Sequence, residues 1–137
     1  MDIGKLTQET FQAWVPFDDD TEVLFEYVPR DELQKLSRKA TKTSFVRHQR
    51  IEEIDATEAD ILLGRRAVKD WRPLLGKTGF TIKDEPFLYS PEHCDLFMTK
   101  WNAFARFVNE TCVDLELLME KEQEQIRKNS SSTSGQG

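Results

Sequence analysis

Cysteine is scarce in this chain: Cys94 and Cys112 are the only two, eighteen positions apart. That number rules out a disulfide-stapled scaffold, and free cysteine habitually packs as a small buried hydrophobe, which is the role expected of both. Histidine is equally scarce, with His48 and His93 alone. No His/Cys pair has the two-to-four-residue separation of a zinc site, and the adjacent His93 and Cys94 point about 100° apart on a helix. Long apolar runs are missing, so a membrane-spanning helix of roughly 18 residues or more is not expected. Residues 1–5 carry no apolar run of the secretory-signal type. Cationic excess is missing as well: 25 acids against 19 bases give a net charge of −6, which argues against general affinity for nucleic acid or anionic membrane.

What is present suits one modest core. The 137 residues fit a single domain, 38% are hydrophobic, and nine Phe and three Trp are among them. Residues 11–17 alternate, with Phe11, Ala13, Val15 and Phe17 on one side and Trp14 on the other. Asp18-Asp19-Asp20 makes a polar turn, and the β-branched and aromatic stretch 21–28 follows as a second strand. Pro16 cannot donate to a ladder, which places the first strand at a sheet edge. From Asp31, the residues Leu33, Leu36 and Ala40 line a short helix. Residues 41–53 fit either a loop or a third short strand around Phe45-Val46.

Thr57 is the expected N-cap of the next helix, whose apolar face runs Ala59, Ile61, Leu62, Leu63, Ala67, Val68, Trp71 and Leu74 before Pro73 and Gly76 stop it. Ser90 caps and Pro91 opens the longest expected helix. Its stripe is Cys94, Phe97, Met98, Trp101, Phe104, Ala105, Val108 and Cys112, with Asn109 or Thr111 as breaking points. A further helix carries Leu115, Leu117, Leu118 and Met119. From 128 to 137 only Lys128 and small or polar residues remain, and disorder is expected there. Strands at the front and helices behind predict an α+β domain over residues 1–127, with a small antiparallel sheet packed on three to four helices.

Catalytic constellations are wanting. Asp18-Asp19-Asp20 lacks the further ligands, mid-loop glycine and closing glutamate of a calcium loop. Gly76-Lys77-Thr78 lacks the upstream glycine and preceding strand of a phosphate cradle. Ser90 serves as a cap, and no base stands beside a nucleophile. The expected protein is therefore not an enzyme, and no cofactor or metal is implied. Charge, by contrast, is patterned. Arg30, Lys35, Arg38, Lys39, Lys42, Arg47 and Arg50 face only Asp31 and Glu32 over that stretch, and acids crowd in directly after it. A solvated face is one reading; a bipolar surface for self-association, through Arg30, Lys35, Arg38, Lys39, Arg47 and Arg50, is another. Nucleic-acid binding ranks third, because Phe45 is the sole aromatic within the run. Trp71 and Trp101 read as core residues, and Trp14 as a half-exposed contact aromatic. Leu115, Leu118 and Met119, flanked by acids, suit either a partner-binding helix face or packing on the chain's own core.

Several of these pieces in succession resemble the tail assembly chaperones of long-tailed bacteriophages and prophages. They are the strand of 23–36 leading into Pro29-Arg30-Asp31-Glu32-Leu33, the segment 67–74 with Trp71, the Gly79 turn, the Tyr89-Ser90-Pro91-Glu92 opening, and the helix through 104–110. The resemblance covers roughly residues 20–115, with the long 41–56 segment as a departure. It implies a small α+β protein of the bacterial host cytoplasm that binds the tape-measure protein and keeps it soluble during tail tube assembly. The implied partners are the tape-measure protein, the tail tube protein and further copies of the chain, with no catalytic residues. A longer frameshifted product is a common family trait. The rival expectations are a structural tail or head–tail joining component and a nucleic-acid-binding adaptor using residues 30–50.

Overall fold

The computed structural model describes Gly4 and residues 10–134, with side chains through Asn129. The chain is α+β. Strands β1 (Gln12–Pro16) and β2 (Thr21–Glu26) form an antiparallel hairpin around the Asp18 turn, where the Asp18 carboxylate accepts from the amides of Asp20 and Thr21, both at 2.8 Å. Helix α1 (Arg30–Lys39) leads into a separate hairpin, β3 (Thr41–Val46) and β4 (Gln49–Ile54). Helix α2 (Ala56–Ala67) then passes directly into β5 (Val68–Pro73), which returns to pair antiparallel with β2. The main sheet has the order β1-β2-β5, so β1 with its Pro16 is an edge strand, as expected.

Three helices follow a two-residue-per-strand hairpin, β6 (Thr81–Ile82) with β7 (Glu85–Pro86). They are α3 (Pro91–Lys100), α4 (Asn102–Thr111) and α5 (Leu115–Ser134). One face of the main sheet presents Ala13, Val15, Val23, Phe25, Val68 and Trp71 to a single core that also takes in Leu63, Met98, Phe104, Val108 and Leu118. Gly64 lets α2 and α3 approach closely: a Cβ there would sit 2.7 Å from Met98 Cγ.

The element that departs furthest from expectation is β5. Val68 and Trp71 continue the apolar stripe of a helix, yet α2 ends at Ala67 and both residues lie in a strand. The ladder pairs Leu24 with Asp70 but Phe25 with Val68, so Lys69 is an extra residue. This bulge puts Val68 and Trp71 on one face at a spacing of three, which imitates helical periodicity. The single long helix expected from 90 to 112 is also two. Trp101, at φ −119° and ψ 96°, breaks it, caps both halves, and lies partly in solvent instead of in the core. Asp55, not Thr57, caps α2, its carboxylate accepting from the Glu58 amide at 3.1 Å. Residues 41–53, left open by the sequence, are a full hairpin. Helix α5 is described through Ser134, and the end of the tail in which disorder is expected, residues 135–137, lies outside the described residues.

Candidate functional site

Between β5 and α3 the chain spends residues 74–90 on a strap that lies across the aromatic centre of the molecule. Two positive-φ glycines shape it, Gly76 at 77° and Gly79 at 72°, and Gly79 also abuts Pro73, whose N and Cβ would lie 3.2 and 3.1 Å from an added Cβ. Phe87 N donates to Phe80 O at 2.8 Å and closes the strap's own loop. Trp71 then fixes it from below. The indole Nε1 donates to Phe87 O at 2.8 Å, and the ring stacks on Phe97 at 5.0 Å while meeting Phe80 and Tyr89 edge-on. Tyr89 donates its hydroxyl to Val68 O at 3.0 Å, and burial raises the pKa of that hydroxyl. His93 completes the fastening, stacked on Phe87 at 4.1 Å with Nδ1 2.7 Å from Leu88 O.

This anchoring leaves an open groove of about 260 Å³ lined by Trp71, Pro73, Thr78, Phe80, Pro86, Phe87 and Leu88, with Arg72 at its side. Beside it the strap holds apolar side chains in water: Leu75 is fully exposed, Leu88 70% exposed and Ile82 55%. Exposed apolar groups around a pre-formed, aromatic-floored slot are the chemistry of a surface that accepts an apolar side chain from another molecule. Sequence reasoning missed this strap. The available signal was Leu74, Leu75, Ile82 and Leu88 lying in a Gly-punctuated segment without helical or strand period.

The residues singled out from sequence land elsewhere. Trp14 is half-buried on the sheet face opposite the core, with the Arg72 guanidinium 3.8 Å above its ring and Arg72 in turn paired with Glu22. Leu118 is wholly buried, Leu115 nearly so, and Met119 packs partly against the same core, so α5 spends this face on its own fold. The six cations of the proposed self-association surface are all exposed. They divide between α1 (Arg30, Lys35, Arg38, Lys39) and the β3–β4 hairpin (Arg47, Arg50), where Arg50 pairs with Glu52 at 2.9 Å.

Nucleophile chemistry finds no footing at the cysteines. Both are free and buried, and desolvation pushes each thiol up to about 12. Among the described residues no group of three or more His, Cys, Asp or Glu is placed to hold a metal ion, and no helix is long and apolar enough to cross a membrane. No protein-family model, curated protein or solved structure matches the chain.

Proposed function

We propose that the protein is a non-enzymatic assembly chaperone, a phage tail assembly chaperone that binds the long helical tape-measure protein in the host cytoplasm and keeps it soluble while the tail tube is built. The observation that carries this reading is the apolar groove over Trp71, flanked by solvent-exposed Leu75, Ile82 and Leu88. A long amphipathic helix shows apolar side chains at intervals of three and four, and one such side chain fits a slot of this size. The rigid aromatic floor presents the slot without a reorganisation cost. A net charge of −6 keeps the loaded chaperone from aggregating through the same apolar surface.

The test is co-expression with a long helical phage tape-measure protein. The expected outcome is soluble recovery and co-purification of that protein only when the chaperone is present. Leu88→Asp, at a side chain already in water, is expected to lose this recovery while the chaperone itself stays folded by near-ultraviolet circular dichroism. A long protein that stays insoluble and unbound beside the wild-type chain would overturn the reading. So would the chain's retention as a constituent of purified particles, since a chaperone leaves.

A further inference from the structure

The β3–β4 hairpin stands away from the core, and its outer strand has a self-complementary edge. Residues 42–50 are all exposed, including Phe45 at 73%. The two-residue turn, Arg47 and His48 at φ 52° and 67°, makes Val46 and Gln49 a hydrogen-bonded pair. Alternation from there directs the N–H and C=O groups of Gln49, Ile51 and Glu53 to β3 and those of Arg50, Glu52 and Ile54 outward. Among the described residues no strand pairs with this outer edge of β4, which is an open ladder.

We propose that this edge pairs antiparallel with the same edge of a second copy, joining two hairpins into a four-stranded sheet about a two-fold axis through Ile51. Only the even-numbered residues of β4 turn their backbone groups outward, so the register must set residues of equal parity opposite one another. Centred on Ile51, it sets Arg50 opposite Glu52 of the other copy, twice, and Gln49 opposite Glu53. Arg50 and Glu52 are the residues whose backbone groups point outward, so these pairs are also the hydrogen-bonded ones. Charge complementarity therefore coincides with backbone complementarity. The edge of β3 has no such match, because it carries Lys42 and no acid. It narrows the self-association expected of Arg47 and Arg50 to one strand edge, and because its readout uses the purified chain alone it can fail while the chaperone reading stands.

Sedimentation equilibrium of the purified protein tests it. The expected result is a concentration-dependent species of twice the 16.0 kDa chain mass. R50E and E52R each place two like-charged pairs across the axis and are expected to weaken association about tenfold. The double variant R50E/E52R restores the opposite charges and is expected to recover it. E52P removes an outward N–H while leaving the hairpin's own bonds, and is expected to weaken association further than E52Q. Circular dichroism confirms the fold of each variant. A chain that stays monomeric up to about 1 mM, or association that ignores both single reversals, overturns the proposal. It is equally overturned if the chain alone is monomeric and R50E instead abolishes capture of the long helical protein, which would make that protein the occupant of the edge.

Discussion

Asp55 holds two elements at once: its carboxylate caps α2 and meets Lys42 Nζ of β3 at 2.6 Å. The hydrogen bond to Lys42 and the Glu58 amide hold its carboxyl below the ordinary 3.8, a value the unfolded chain regains. A depressed folded value means that the contribution to stability is complete above the unfolded pKa and fades as pH falls through the folded one. Urea titrations between about pH 6 and pH 3 are therefore expected to show a shallower acid-side loss for Asp55→Asn than for the wild type. Gly79 is a second residue without a substitute, because its φ of 72° and its contact with Pro73 each penalise a side chain. Gly79→Ala is expected to cost ~1–3 kcal/mol in urea unfolding. The buried thiols of Cys94 and Cys112 are expected to resist thiol reagents near neutral pH until the chain unfolds, which a timed labelling assay with and without denaturant reads directly. At this scale the sequence was legible where chemistry is local. The buried cysteines and the Ser90 cap stand as expected, with the Ser90 hydroxyl accepting from His93 N at 3.0 Å. It was not legible where a neighbour far along the chain decides, as when Leu118 could have faced either a partner or its own core.

Elements read well where one period runs uninterrupted and badly where an irregularity mimics another period. The β1–β2 hairpin belongs to the first kind. The Lys69 bulge, by placing Val68 and Trp71 three apart on one face, belongs to the second, and only pairing with β2 distinguishes it from another turn of α2. The break at Trp101 is likewise set by tertiary contacts, because its ring packs on Phe17, Phe80 and Phe97, at 5.0, 5.6 and 5.1 Å. The β3–β4 hairpin was ambiguous because its turn uses Arg47-His48, both left-handed, in place of an Asn-Gly signal. Replacing those two residues with Asn-Gly is expected to stabilise the hairpin locally by about 1 kcal/mol, seen as slower amide exchange at Ser44 and Ile51. Helix α5 makes a complementary case. Ending the chain at Asp114 removes buried Leu115 and Leu118 and is expected to cost roughly 3–6 kcal/mol, whereas ending it after Asn129 changes urea stability by less than ~0.5 kcal/mol.

Across the whole molecule the α+β class was readable, since strands cluster early and amphipathic helices late. The candidate site was not, because no local rule announces that a loop of Gly, Lys and scattered Leu will be pinned across a Trp stacked on Phe97. A largely buried charged cluster ties four elements together. Arg66 reaches Glu32 at 2.6 Å and Glu26 at 3.5 Å, and Lys69 reaches Glu26 at 3.3 Å, so α1, α2, β2 and β5 meet there. The neck of the β3–β4 hairpin has a different consequence. Asp55 N donates to Ala40 O at 2.9 Å, so the polypeptide leaves and re-enters the body at nearly one point. Whatever joins those two points is, to the core, interchangeable. Beyond Thr41 and Lys42, which bond Ser37 O and Asp55, the stretch 43–54 is expected to tolerate shortening, lengthening or exchange for a foreign peptide, which makes this neck the natural port for grafting a tag, a reporter or a new binding loop.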